Sequence, residues 1–305
     1  MTGGIGTGGI GWIGTGRMGM AMAERLLAAG HQLQVYNRTS AKAAPLVEQG
    51  AKLVERPTDL AGCDVVFSMV ADDDALGDVT SGPGGLLTGG TGPKVLVDSS
   101  TVSAEISEEV TASGDLVDTA VLAAPVSGNP SVVRSGDLAI VASGPRDAFD
   151  AVEPLLTTIA RNAVWAGPGT EARLVKLCHN MLVAVIVQSL AEAIVLAEKH
   201  GVPRQALMGF INDSVLGSRF IRSKTAALAD LDFTTMFTAP GQRKDLRLAL
   251  EAARAVEVAM PVTAQTELAL TRLIGSGLDQ GRDFSTLLLL AARDAGLSLD
   301  PDGPS

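Results

Sequence analysis

The sequence predicts an α/β chain in two parts, a doubly wound, mainly parallel sheet over residues 1–168 and an all-helical part over residues 169–305. Three observations predict it. Through the first half, short β-branched runs alternate with amphipathic stretches, the pattern of repeated strand–helix–strand units. After Gly167-Pro168-Gly169 the β-type runs vanish and only helix-period segments follow. At 305 residues the chain is also long for a single hydrophobic core.

In order, the expected strands are Ile10–Ile13, Leu33–Tyr36, 65–69, Val95–Asp98, 116–122, 138–143 and 163–165, with helices at 18–29, 41–49 and 146–159. Asp72-Asp73-Asp74 looks like a metal cluster at first sight. Acidic residues opening a helix after a strand are ordinary N-terminal capping, and they are read that way here. Beyond residue 169 the helical segments are 170–200, 204–216, 244–256, 263–276 and 286–295, and the tail 297–305, with Pro301 and Pro304, is expected to be disordered.

Composition narrows the function. A net charge of −10 and 3% aromatics argue against a nucleic-acid partner, which needs a basic surface and stacking groups. Two cysteines and three scattered histidines build neither a disulfide framework nor a zinc site. The longest unbroken apolar stretch of the most hydrophobic region is 181–187, short of the roughly 20 residues of a membrane span, so no membrane partner is expected. Met1-Thr2-Gly3-Gly4 opens without a basic, apolar leader, and a cytoplasmic location is the expectation.

Gly14, Gly16 and Gly19 form G-x-G-x-x-G. The first glycine allows a tight turn, the second a close backbone approach to a pyrophosphate, and the third close helix packing, while the amides opening the next helix receive the phosphates. Overlapping matches at 4/6/9, 6/8/11 and 9/11/14 dilute the motif. Only the 14/16/19 register has a strand before it and a helix after it, so Gly14, Thr15, Gly16, Arg17, Met18 and Gly19 are the expected dinucleotide loop of a Rossmann-type domain.

The second strand runs into Asn37-Arg38-Thr39-Ser40, with no acidic residue to accept from a ribose 2′-hydroxyl. Asn37 can donate, Arg38 can pair with a 2′-phosphate, and the hydroxyls of Thr39 and Ser40 can bond the same oxygens. NADP is therefore expected over NAD. Met69 and Val70 are expected to wall the nicotinamide, with Thr101 offering a hydroxyl from the next strand end.

On the long apolar helix after residue 170, Lys176 and Asn180 stand at i and i+4 and share a face, with His179 beside them. Desolvation disfavours the charged form of a lysine in such a place, which suits a general acid or base near neutral pH. Ser127-Gly128-Asn129, between Pro125 and Pro130, exposes amides, a hydroxyl and a carboxamide fit to cradle a carboxylate. Lys244, expected to begin a helix after Pro240-Gly241, reads as a surface lysine when taken alone.

Taken together these motifs resemble the β-hydroxyacid dehydrogenase family, which includes 3-hydroxyisobutyrate dehydrogenases and tartronate or succinate semialdehyde reductases. The resemblance covers nearly the whole chain: the glycine fingerprint 13–19, Asn37-Arg38-Thr39, Ala124-Pro125-Val126-Ser127-Gly128, Lys176 with Asn180, and Lys244-Asp245-Leu246, in the family's order. It implies hydride transfer between NADP(H) and a small β-hydroxyacid or the corresponding semialdehyde. Lys176 would be the acid/base, Asn180 would orient the substrate, Ser127 and Gly128 would hold its carboxylate, and Lys244 would help close the site near substrate and nicotinamide. It also implies a homodimer or larger assembly through the helical part. Ala123, Asn129 and His179 stand where the family usually has Asp, Gly and Asn, so the identity of the acid stays open.

Two rivals share the plan. Imine reductases replace the lysine, usually with Asp or Tyr, and a non-catalytic NADP-binding scaffold would have no use for Lys176, Asn180 and Lys244. The larger 6-phosphogluconate dehydrogenases are similar in the first domain, but this chain is too short for their helical domain.

Overall fold

The computed structural model describes residues 9–301. The glycine registers starting at 4 and 6, the amino-terminal stretch expected to lack a leader, and the last four residues of the tail lie outside the described residues. The described chain divides into two compact units between Lys176 and Leu177.

The first unit alternates strands and helices: β1 (Ile10–Ile13), α1 (Arg17–Ala28), β2 (Leu33–Tyr36), α2 (Ala44–Glu48), β3 (Lys52–Leu53), β4 (Val65–Ser68), α3 (Asp73–Thr80) and β5 (Val95–Asp98). It continues with α4 (Ala104–Asp115), β6 (Ala120–Ala123), β7 (Val126–Ser127), α5 (Pro130–Arg134), β8 (Ala139–Ser143), α6 (Arg146–Ile159) and β9 (Asn162–Gly167). The sheet order is β3-β2-β1-β4-β5-β6-β8-β7, with β9 paired to β8. From β3 to β6 every pairing is parallel, and β6–β8 and β7–β8 are antiparallel. The chain turns back between β1 and β4, the switch point beside which open α/β sheets bind ligands.

Helices cover both sheet faces, so β1, β4 and β5 are buried at every position. Period-two alternation sends Trp12, Phe67 and Val97 into one core with Met22, Leu26 and Phe149, and Ile13, Val66 and Leu96 into the other with Leu76 and Val110. Trp12 and Phe67 stack across neighbouring strands with ring centres 5.3 Å apart.

The strand expected at 116–122 is shorter and later. Leu116 is 85% exposed at the end of α4, Asp118 takes a left-handed turn at φ 55°, and only then does β6 begin at Ala120. The helix after Asp72 forms as expected, with the Asp72 carboxylate accepting from the Ala75 amide at 2.9 Å.

Helix α7 (Glu171–Lys199) opens in the first unit and continues into the second. The expected break at 168 marks where the sheet stops, yet the first turn of α7 still belongs with it, because the Ala172 amide and the Arg173 side chain bond groups of the sheet domain. By length and composition α7 would suffice to cross a membrane, the one such helix among the described residues. Counting only unbroken apolar runs missed this, since isolated polar residues interrupt the run without lowering its average: its most apolar 18 residues have a mean hydropathy of 1.9.

The second unit packs α7 with α8 (Arg204–Asp213), α9 (Arg219–Asp230), α10 (Ala239–Ala255), α11 (Pro261–Ser276) and α12 (Leu287–Asp294). Leu190, Ile194, Met208, Leu228 and Leu288 form one core, and Ala184, Val187, Leu246, Leu273 and Leu287 another. Helix α9, capped by Ser218, was not expected from the sequence. Helix α10 begins at Ala239 rather than Lys244: Thr238 caps it and Pro240 sits in the first turn, where its missing N–H costs nothing. The tail corrects a further expectation, because Leu297 and Leu299 pack against the first of these cores.

Between α9 and the turn before α12, Lys224 Nζ meets Asp283 Oδ1 at 2.8 Å, both side chains almost wholly buried. Burial pushes the Asp283 carboxyl up. The Lys224 charge, with donors from Phe237 and Ser285, outweighs it and holds the group below the ordinary carboxylate range.

Candidate active site

The glycine loop is built by close approach. At Gly14 φ is +93°, and a Cβ there would lie 2.2 Å from the Met69 carbonyl oxygen; one at Gly19 would lie 2.1 Å from the Gly14 carbonyl. Neither place admits a side chain. A Cβ at Gly16 would meet nothing within 4 Å, so this glycine keeps open a space that the fold itself does not fill. Gly16 also leaves the N-terminus of α1 without a side-chain cap, so the first-turn amides of Arg17, Met18 and Gly19 are available to an anion. Beside them the buried Thr15 hydroxyl has no hydrogen-bond partner. An orphaned donor, uncapped amides and a side-chain-free approach fit a dinucleotide pyrophosphate.

A cleft of about 380 Å³ runs along this loop, lined by Gly16, Arg17, Lys42, Pro130 and Arg134 among others. Its lining holds three cations and no carboxylate. Arg38 and Thr39 are exposed at the carboxyl end of β2. Asn37 has a different task from the one expected: its Oδ1 accepts from the Thr15 amide at 2.9 Å and its Nδ2 donates to the Thr39 carbonyl at 2.8 Å. It braces the two loops against each other.

At the next strand ends, Met69 and Val70 are half-buried, and the Val70 amide donates to Ser100 Oγ at 2.9 Å. Thr101 is half-buried just beyond. The buried Ser99 hydroxyl has no partner. Asp98, 1% exposed at the end of β5, accepts from Ser68 Oγ at 2.6 Å and Ser100 Oγ at 2.7 Å, and its other oxygen pairs with Arg173.

Ser127 ends the short β7, and Gly128 adopts φ +149°, where a Cβ would press on Leu138 and Val132 at 2.9 Å. Asn129 corrects the expected cradle in part. Its Oδ1 caps α5, accepting from the Val132 amide at 3.0 Å and from Ser131 Oγ at 2.6 Å. The turn therefore feeds α5, whose Pro130 and Arg134 line the glycine-loop cleft.

Lys176 is half-buried on α7, on the side that also carries Ala172, Arg173 and Asn180, all buried. In the second unit Asn180 Nδ2 donates to Asp245 Oδ2 at 2.6 Å, its carbonyl accepts from Gln242 Nε2 at 2.8 Å, and its Oδ1 lies 3.0 Å from His179 Nδ1. Lys244 Nζ lies 3.7 Å from the other oxygen of Asp245. One buried carboxylate thus brings together Asn180 and Lys244, two residues the sequence singled out separately. Gln242, Asp98 and Arg173 were not singled out, and Asp245 was named only beside Lys244 in its motif; a charged residue on an otherwise apolar helix face, as at Arg173, was the available signal.

Comparison with known proteins decides the family. Residues 9–167 match the model of the NAD-binding domain of 6-phosphogluconate dehydrogenase, and residues 170–291 match the NAD-binding domain of NADP-dependent 3-hydroxyisobutyrate dehydrogenase. The chain belongs to the β-hydroxyacid dehydrogenase family. It is similar to glyoxylate/succinic semialdehyde reductase 2 of Arabidopsis thaliana, at 32% identity over 85% of this chain and 73% of that protein. An uncharacterized oxidoreductase of Shewanella frigidimarina is 34% identical over 84% of this chain and 88% of its own. Among solved structures, 3-hydroxyisobutyrate dehydrogenase of Mycobacterium tuberculosis with L-serine aligns at a TM-score of 0.80 and 26% identity, covering 92% of this chain and 98% of that one. As a member of the family the chain is an NAD(P)-dependent oxidoreductase with a Rossmann-like first domain and a helical region after it.

Proposed function

We propose that this β-hydroxyacid dehydrogenase moves hydride between NADP(H) and a small β-hydroxyacid or its semialdehyde, with Lys176 as general acid/base. One observation carries the reading: a half-buried lysine lies one helical turn beyond Arg173, whose guanidinium is bonded to the Ser100 carbonyl at the end of β5. That turn is anchored at the carboxyl ends of the central strands, where a nicotinamide is placed by folds of this kind.

A bound dinucleotide supplies or accepts the hydride at the substrate carbon. Toward oxidation, neutral Lys176 takes the proton from the hydroxyl oxygen as the C–H bond breaks; toward reduction, its ammonium returns a proton to the carbonyl oxygen. Met69 and Val70 keep water from the reacting face, and Ser127 with the Gly128 amide binds the substrate carboxylate. Asn180, steadied by Asp245, orients the substrate, and Lys244 adds positive charge.

Support for NADP comes from the lack of a carboxylate at 37–40, from the cations of the neighbouring cleft, Arg17, Lys42 and Arg134, and from Arg38, exposed at the end of β2 and outside the lining of that cleft. A 2′-phosphate is attracted there; no group replaces the acceptor that NAD-selective sites use. We infer a homo-oligomer as well, because Leu182 and Leu196 leave apolar surface on α7 at 54% and 63% exposure. Light scattering after size exclusion gives twice the chain mass or more on this reading, and a monomer in detergent-free buffer contradicts it.

The deciding experiment follows NADPH and NADH absorbance with a panel of C3–C5 hydroxyacids and semialdehydes. Turnover with preference for the phosphorylated cofactor supports the proposal. Turnover of cyclic imines alone, or binding without turnover, replaces it with a reductase of imines or with a scaffold.

A further inference from the structure

The first turn of α7 is pinned with more polar contacts than a helix start needs, all of them inside the first unit. The Ala172 amide donates to Ser143 Oγ on β8 at 3.0 Å. Arg173, 4% exposed, donates through Nε to Ser107 Oγ on α4 at 2.8 Å and through its two terminal nitrogens to the Ser100 carbonyl and to Asp98 Oδ2. Through Asp98 and Ser100 the network reaches Ser68 on β4 and the Val70 amide. The strand ends at the switch point and the start of α7 therefore share one hydrogen-bonded unit.

Stability alone does not account for this arrangement. A buried ion pair gives up hydration that its mutual attraction only partly returns, and apolar packing of the same volume commonly serves a fold as well or better. What the guanidinium does supply is direction. Its planar fork holds three acceptors on two segments, the end of β5 (Asp98 and Ser100) and α4 (Ser107), which resists both sliding of the turn along its axis and rolling about it. Lys176 lies at i+3 from Arg173, on the same face. A roll of 20° would carry an amine tip on such a helix roughly 2 Å sideways.

We propose that Arg173 and Asp98 are positioning residues for Lys176, setting the height and rotation of α7 so that the amine stands over the carboxyl ends of β4 and β5. Ser107 and Ser143 serve the same purpose from their own elements. Asp98 also balances the Arg173 charge, so the amine works beside a neutral pair. The role rests on the acid/base assignment of Lys176 given above, and misplacement of a reacting group by about 1 Å is enough to cost about 100-fold in rate.

Two readouts test it on the intact protein, in wild type, Arg173→Lys and Ser107→Ala. The first needs no activity: limiting acetic anhydride at a single pH, with peptide mass spectrometry comparing acylation of Lys176 with that of Lys94 and Lys199. The proposal expects the Lys176 ratio to change threefold or more in Arg173→Lys while the two reference lysines keep theirs; a smaller change overturns it. If Arg173→Lys does not fold, Ser107→Ala, which removes only the Nε contact, carries the same comparison. The second readout is kcat at saturating cofactor. Arg173→Lys should lose about 10- to 100-fold, with NADPH affinity kept within about threefold, and should lose nothing further in a Lys176→Ala background. Equal losses in both backgrounds mean that Arg173 does not act through Lys176, and overturn the proposal. A wild type that turns over no substrate refutes the dehydrogenase reading instead, and the acylation ratio still decides the positioning one.

Discussion

Two buried ion pairs, one in each unit, use the same chemistry for different ends. Asp283 accepts from Lys224, from the amides of Met236, Phe237 and Ser285, and from the Ser285 hydroxyl, so its carboxylate closes the segment between α9 and α10 onto the turn before α12. Lys224 also lies 4.9 Å from the centre of the Phe284 ring, among core residues. Asp98, by contrast, bonds side chains at the ends of two strands and the first turn of the helix that bears Lys176. The first pair makes a loop part of the core. The second ties the first turn of a helix to the carboxyl ends of two strands, which on the proposed function sets the place of the acid/base lysine.

The largest effect is expected at the Lys224–Asp283 pair. Lys224→Met leaves a buried carboxylate without its cation and should destabilise the helical unit by about 3–5 kcal/mol, read as a lowered midpoint in urea. Acylation of Lys176 in the folded variant should stay as in wild type. A variant as stable as wild type would show that Asp283 is satisfied by the loop amides alone.

Next in size is the cofactor side of the first unit. Arg38→Ala should weaken NADPH about 10- to 100-fold and NADH far less, since a charge-assisted bond to phosphate is lost only for the former. Equal losses in titrations of the two cofactors would remove the 2′-phosphate from this corner. The glycines sharpen the point. Gly16→Ala should weaken either dinucleotide roughly tenfold or more while stability moves by under about 0.5 kcal/mol, because no protein atom lies within 4 Å of the added Cβ. Gly19→Ala should lower stability instead, since its Cβ meets backbone.

The smallest effect concerns pH. Folding holds the Asp283 carboxyl below its unfolded value, so its contribution is complete above about pH 4 and is lost as pH falls through the folded value. Urea midpoints between pH 5 and pH 2 should fall less steeply in Asp283→Asn than in wild type. Parallel curves would place the acid-sensitive group elsewhere.

Much of the fold was legible because its central strands are buried on both faces. Runs such as Val95–Asp98 have no polar interruption, and their limits match those read from the sequence. The two-residue strands β3 and β7 are too short to leave a period, and α9 was hidden by polar residues such as Arg222, Ser223 and Lys224, the last of which turns inward to Asp283. Asn129 before Pro130 carried a cap signal of its own and was read for its chemistry instead. The candidate site was legible only where it is local. Arg173 and Asp98 lie 75 residues apart, and no spacing rule joins them. Asp245 stood next to Lys244 in the sequence, yet its grip on Asn180 appears only when α7 and α10 are packed.

A single-turnover measurement isolates the proton transfer proposed for Lys176. Protein loaded with NADPH is mixed rapidly with a short semialdehyde found to turn over, and absorbance at the nicotinamide band is followed for wild type and Lys176→Ala. The rate constant should be lower by about 10²–10⁴ in the variant, with NADPH affinity nearly unchanged. Equal rate constants for the two proteins would remove Lys176 from the proton transfer.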